Sequence, residues 1–390
     1  MIIALVSALA LGLTAQAEAD PIRTAPAVEI LADPRSADAD WLFAIVEERF
    51  DAATANADEN PLEVAELTVL IQHLSQDQHP GAMNLMGVMM MNGIGRVADP
   101  DGAMAYYERA YRAGNPAAAG NFGVYRLYQP DQNQQITGFD ALVSITDNPD
   151  APDHLRALAT GHIGIAYAWG LAGVEQDIPL AVGNILAGVE ALPDNPVFNF
   201  MAGNIYESGL QPGASSPDVV QALSYFARAA ERGHGQAAWK AGMIHLTGAG
   251  TPVDETEAYR FMVLSSEAGF DNGMISRAVM LATGQGTQVD GGLARTWYEE
   301  AAKLGNAHAM RALGAMYLYG EGGEANTAIG VALLQLARDG GDSMAERLLA
   351  DISPQLPQTE DWYLELGGAR AYILQTFGIT PDQIYGGQTQ

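Results

Sequence analysis

The sequence predicts an all-α protein, a solenoid assembled from helix pairs. Three observations predict it. A glycine-marked stretch recurs at a step of 36 residues, apolar residues within each step follow helical rather than alternating spacing, and no strand pattern interrupts them.

The recurrence is clearest from HLTGAGTPVDETEA (245–258) to LATGQGTQVDGGLA (281–294) and on to YLYGEGGEANTAIG (317–330). Gly248, Gly284 and Gly320 share one position, and Gly250, Gly286 and Gly322 the next. Asp254 falls on Asp290, and Ala258 on Ala294. Upstream, MMNGIGRVADPDGA (90–103) repeats the spacing with Gly93, Gly95, Asp99 and Ala103. Gly233, Gly269, Gly305 and Gly341 keep the same step, and Gly114 matches Gly269. A lone G-x-G loop could cradle a phosphate, but a nucleotide needs one such loop, on a strand-to-helix turn. Recurrence makes this loop structural. The first glycine suits the left-handed position after a helix, the second turns the chain back, and the Asp suits the N-cap of the next helix.

The elements follow in chain order. An apolar run from Ile2 to Leu13, then Ala15-Gln16-Ala17, reads as a signal peptide over 1–17, although no Lys or Arg precedes the run. It is too short to span a bilayer, and no other stretch is long and apolar enough. Residues 18–40, with Pro21, Pro26 and Pro34 among acids, read as a linker. Residues 41–79 read as an N-terminal helical pair or degenerate repeat. Repeats follow over 80–352. In the best copy, helix A covers about 236–247 and helix B about 254–268, the latter with Ala258, Phe261 and Met262 at helical spacing. Residues 353–390 read as a capping helix and tail, as the exposed end of an array requires.

The combination of a small-residue helix A, a G-x-G turn, an Asp, then Ala-x-x-Trp/Phe-Tyr/Met and a closing Ala-x-x-Gly resembles the Sel1-like repeat, a relative of the tetratricopeptide repeat. DGGLARTWYEEAAKLGNAHAMRALGAMYLYGEG (290–322) carries it best. Small residues mark seven helices A: Gly87, Gly123, Gly164, Gly203, Gly242, Ala278 and Gly314. Two copies depart from the pattern. The turn after Gly123, RLYQPDQNQQITGFD (126–140), lacks G-x-G and leads into a weak helix B, and GLQPGASSPD (209–218) carries three extra residues. Each is a surface irregularity or a docking place.

The resemblance implies a right-handed α/α solenoid with helix A lining a concave groove. It then places Trp169, Phe200, Asn204, Gln236, Trp239, Met243, Asn272, Ile275, His308, Arg311 and Tyr319 in that groove. Aromatic and aliphatic anchors with interspersed amides suit a peptide or helix. Members of this family are commonly protein-interaction modules, and some exported ones resemble regulators of envelope sensors or scaffolds of exopolysaccharide secretion.

Composition narrows the alternatives. The net charge of −28, from 47 acidic and 19 basic residues, repels nucleic acid and anionic lipid. It serves solubility or suits a basic partner. The chain has no cysteine, which excludes disulfides, cysteine–zinc sites and thiol catalysis. Its seven histidines form no metal spacing, no serine elbow or serine–lysine motif occurs, and Asp99-Pro100-Asp101-Gly102 lacks the other ligands of a calcium loop. No cofactor is expected. The expectation is a periplasmic or secreted scaffold, not an enzyme, that binds an envelope protein or peptide. One alternative is cell-wall or exopolysaccharide glycan binding, with Trp169 and Tyr319 as stacking platforms. The other is a β-lactamase-like or penicillin-binding enzyme; family members bearing that label pair cysteines within repeats.

Overall fold

The computed structural model describes residues 21–55, 57 and 60–380, so the expected signal peptide and the last ten residues lie outside it. Among the described residues there are helices and no strands, and none of the helices is long and apolar enough to cross a membrane. The chain divides into two compact units, Met1–Pro193 and Asp194–Gln390.

The first unit contains α1 (Ala27–Ala32), α2 (Ala39–Thr54), α3 (Pro61–Gln76), α4 (Pro80–Asn92), α5 (Pro100–Arg112), α6 (Pro116–Leu127), α7 (Gln132–Thr146), α8 (Asp153–Trp169) and α9 (Ile178–Ala191). The second contains α10 (Pro196–Glu207), α11 (Val219–Glu231), α12 (Gly235–Thr247), α13 (Glu255–Glu267), α14 (Asp271–Thr283), α15 (Gly291–Lys303), α16 (Ala307–Tyr319), α17 (Thr327–Asp339), α18 (Ser343–Ile352) and α19 (Glu360–Phe377). Within each unit, successive helices pack as antiparallel pairs, α4 on α5 and α12 on α13 being representative. The first helix of each pair is called A and the second B.

The marker residues explain the close approach. A Cβ on Gly87 would enter the Tyr107 ring at 2.6 Å, and one on Gly242 would meet the Met262 methyl at 2.7 Å. Gly203 lies against Phe226 in the same way. The small A-helix residue therefore opens space that a large B-helix side chain fills, and Phe226 and Met262 are completely buried.

Every regular A–B turn uses the same chemistry. Gly93, Gly248, Gly284 and Gly320 cap their helices with φ between +69° and +76°. Asp99, Asp254 and Asp290 accept the N–H groups of Gly102, Glu257 and Leu293 at 2.9, 3.0 and 2.9 Å. Their own N–H groups close the turn on the carbonyls of Met90, His245 and Leu281. In the longer turn, Asp218 N–H still reaches the Tyr206 carbonyl at 2.9 Å, so the three extra residues within 209–218 leave the closure intact.

Two stretches differ from the sequence expectation. Part of the 18–40 linker is a short helix, α1, with Ile30 fully buried among residues of α2 and α3. Polar bonds fasten it: Ala27 N–H donates to the Glu66 carboxylate, and Arg49 reaches the Ala25 carbonyl at 3.0 Å while pairing with Glu63 at 2.6 Å. Proline content signalled a loose chain, but one buried isoleucine and a bridging arginine outweigh it. The expected weak helix B is a full helix, α7. Asp131 caps it through Gln134 N–H at 2.9 Å, and Gly138, Ala141, Leu142 and Ile145 form its buried face.

At the other end, α19 packs on α17 and buries Trp362 and Ile373, covering apolar surface that the last repeat would otherwise expose.

Candidate functional site

The A helices of the second unit present corresponding residues in register. Gln236, Asn272 and His308 are exposed on the first turns of α12, α14 and α16. Trp239, Ile275 and Arg311 follow three residues later, all half-buried. Met243, Val279 and Ala315 come next, and Thr247, Thr283 and Tyr319 end the helices. Val279 is 41% exposed and Tyr319 65%. One open face thus carries a polar row, then mixed and apolar rows, across three neighbouring repeats.

Charges at this face are satisfied internally. Lys240 pairs with the Glu207 carboxylate. Asp271 accepts the Asn306 amide at 2.7 Å. Asp342, whose side chain is 1% exposed, accepts Arg311 Nε at 2.9 Å, contacts His308 Nδ1 at 2.7 Å, and caps α18 through Met344 and Ala345 N–H groups, both at 2.9 Å. Burial works to raise the Asp342 pKa, but these donors outweigh it and hold the carboxyl below its ordinary value.

Several residues assigned to the groove also join repeats together. Trp239 Nε1 donates to Ser276 Oγ at 3.2 Å, and its ring lies 6.1 Å from Phe270. Phe200 stacks on His234 at 4.4 Å and touches Phe226. Arg311 is held by Asp342. Asn204, Met243 and Ile275 are half-buried, and Gln236, Asn272, His308 and Tyr319 are the open members of the set. Trp169, in the first unit, is 54% exposed at the last residue of α8.

A polar pair in the first unit carries no recognisable motif in the sequence. The Tyr128 hydroxyl and His162 Nδ1 lie 2.8 Å apart, joining the short turn after α6 to α8. Only their spacing of 34 residues, close to one repeat, hinted at it. Burial pushes the tyrosine pKa upward and holds His162 down at about 3. An unfolded histidine titrates near 6.5, so the folded value is depressed and only the unfolded chain takes up the proton as pH falls. The stabilising contribution is complete above pH 6.5 and is lost between there and about pH 3. Urea unfolding of the wild type at pH 7 and pH 4 should show an acid loss exceeding that of His162→Gln by roughly 3 kcal/mol. Equal losses would mean that His162 is protonated in the folded chain.

Among the described residues, no group of three or more His, Asp or Glu is placed to hold a metal ion. His79 and His234 instead serve as N-caps, their Nδ1 atoms accepting from Ala82 and Ala237 N–H groups at 3.3 and 3.2 Å.

The Sel1 repeat family matches residues 80–115, 157–183, 197–234, 235–270, 273–306 and 307–342. This chain belongs to the Sel1 repeat family. The six Sel1 matches contain Gly87, Gly164, Gly203, Gly242, Ala278 and Gly314; the pair α6–α7, marked by Gly123, falls outside them. A crystal structure of a Sel1 repeat protein from Oxalobacter formigenes has a similar fold, at 23% identity and TM-score 0.50, covering 64% of this chain and 96% of that one. A protective antigen of uropathogenic Escherichia coli strains, displaying an SLR fold, matches at 16% identity and TM-score 0.42 over 92% of this chain and 84% of its own. No curated protein matches the chain. Sel1 repeat arrays are in general protein-interaction scaffolds without catalytic activity.

Proposed function

We propose that this protein is a scaffold of the bacterial envelope, exported by its N-terminal leader, that holds an extended segment of another envelope protein across the open face of α12, α14 and α16. The observation that carries this reading is the register on that face. Gln236 and Asn272 offer amides one repeat apart, able to bond a main chain, while Trp239, Ile275, Met243 and Val279 offer apolar contact beside them. Internally paired charges leave little to attract a small ion. The leader-like residues 1–17 support an envelope location. A sensor kinase regulator or an exopolysaccharide secretion scaffold fits this role.

The test is a crosslinking capture from periplasmic and membrane fractions, with wild-type bait beside Val279→Asp/Tyr319→Ala. These two side chains are exposed, so the pair probes the face with less damage to packing than changes at Trp239 or Arg311. The expected result is one protein enriched by the wild type and reduced at least tenfold by the variant, about 1.4 kcal/mol. Equal capture by both baits would remove the binding segment from this face. The exposed rings of Trp169 and Tyr319 favour a second reading, glycan stacking. Co-sedimentation with peptidoglycan, lost in Trp169→Ala, would support it.

A further inference from the structure

The Sel1 turns have a second role, which the irregular repeat lacks. In each regular case, the second glycine of a turn covers the first helical turn of the preceding B helix. Gly95 lies on Val64 of α3, Gly250 on Val219 of α11, Gly286 on Glu255 of α13, and Gly322 on Gly291 of α15. Gly173 covers Gln132 of α7 similarly. The start of α5 should be covered by the turn between α6 and α7. That turn is only Tyr128-Gln129-Pro130-Asp131, without glycine, whereas the α12–α13 turn runs from 248 to 254.

A cavity of about 350 Å³ lies at this place, lined by Asp101 and Glu108 of α5, Tyr125 and Arg126 of α6, Gln129 of the turn and Gln134 of α7. Its size falls at the lower end of the roughly 300–1,000 Å³ of small-molecule sites. Arg126 is unusual in so acidic a chain. Among the described residues its guanidinium makes no ion pair or hydrogen bond, and its Nε is buried without a partner. It is held over the Phe122 ring, 5.4 Å from the centroid. Asp101 likewise makes no ion pair or side-chain hydrogen bond, and Glu108 is held by Arg112. Among the described residues, the Gln134 side-chain amide and the Tyr125 hydroxyl have no hydrogen-bond partner either. A cation and a carboxylate line one cavity yet do not bond each other. That separation suits a ligand carrying both charges.

We propose that this cavity binds a free α-amino acid, with its carboxylate on Arg126, its ammonium toward Asp101 and Glu108, and Gln134 and Tyr125 bonding its polar groups. The proposal is independent of the protein-binding face, which lies in the other unit.

Calorimetric titration of the full chain with glycine and L-alanine tests it, with acetate and methylammonium as probes of each charge alone. Saturable binding of an amino acid is expected, with acetate and methylammonium each weaker by roughly tenfold or more, since each forms half of the paired contacts. Arg126→Gln and Asp101→Asn should each weaken amino-acid binding by a similar factor. Ala105→Trp fills the cavity from an exposed position on α5, so it should abolish binding while leaving the circular dichroism and melting curve unchanged. It carries the test if Arg126→Gln fails to fold. No saturable binding by either amino acid would overturn the proposal. So would acetate binding as tightly as L-alanine, or undiminished binding by folded Ala105→Trp.

Discussion

Replacing Gly286 with alanine is expected to cost about 3 kcal/mol of folding stability, whereas Gly341→Ala, at a comparable left-handed position, should cost only about 1–2 kcal/mol. Both glycines have positive φ, +66° and +91°, so both substitutions carry the backbone strain of an L-residue there. They differ in surroundings. A Cβ at Gly341 meets nothing within 4 Å, but one at Gly286 collides with the Glu255 carbonyl at the start of α13. Backbone cannot swing aside as a side chain can, so the turn must lift off the helix it covers. Overpacking of that kind adds about 1–3 kcal/mol. Urea midpoints of both variants measure the difference. Equal losses would mean that the turn glycines serve their own conformation alone and do not join repeats.

The second large effect is expected at Asp342. Asp342→Ala should destabilise the C-terminal end of the array by about 2–4 kcal/mol, from the lost helix cap (about 1 kcal/mol) and the lost charged bond to Arg311 (about 1.5–3 kcal/mol). The exposure of His308, 72%, limits what that partner adds. Because the folded carboxyl titrates below its ordinary value, its contribution is present above about pH 4 and disappears as pH falls through the folded pKa. Hydrogen exchange should locate the loss in α18 and α19. A loss below about 0.5 kcal/mol would show that the carboxylate adds nothing beyond ordinary surface pairing.

The helix pairs were legible because their cause is local and repeated. A glycine at 248, 284 and 320 and a cap at 254 and 290 act within a few residues of themselves, so periodicity exposes them. The joins between repeats were harder to read. Trp239 with Ser276, Asp342 with His308 and Arg311, and Tyr128 with His162 each span 31–37 residues and look like unrelated polar positions along the chain. For this reason groove positions inferred from repeat register mixed open side chains, such as Gln236 and Tyr319, with inter-repeat ties, such as Trp239 and Arg311. The cavity beside Arg126 was legible only as an irregularity. The absent G-x-G after Gly123 was visible, but what the missing turn would have covered depends on the neighbouring helix. The docking of α1 was masked by proline-rich composition, which says nothing about where Ile30 lands.

On the reading proposed above, the A-helix face of the second unit holds a protein segment. Site-specific photo-crosslinking in cells tests it most directly, with benzoylphenylalanine placed at Val279 on α14 or at Thr296 on α15, both exposed. A crosslinked envelope protein is expected from position 279 and none from position 296. Crosslinks from 296 alone, or equally from both, would contradict it.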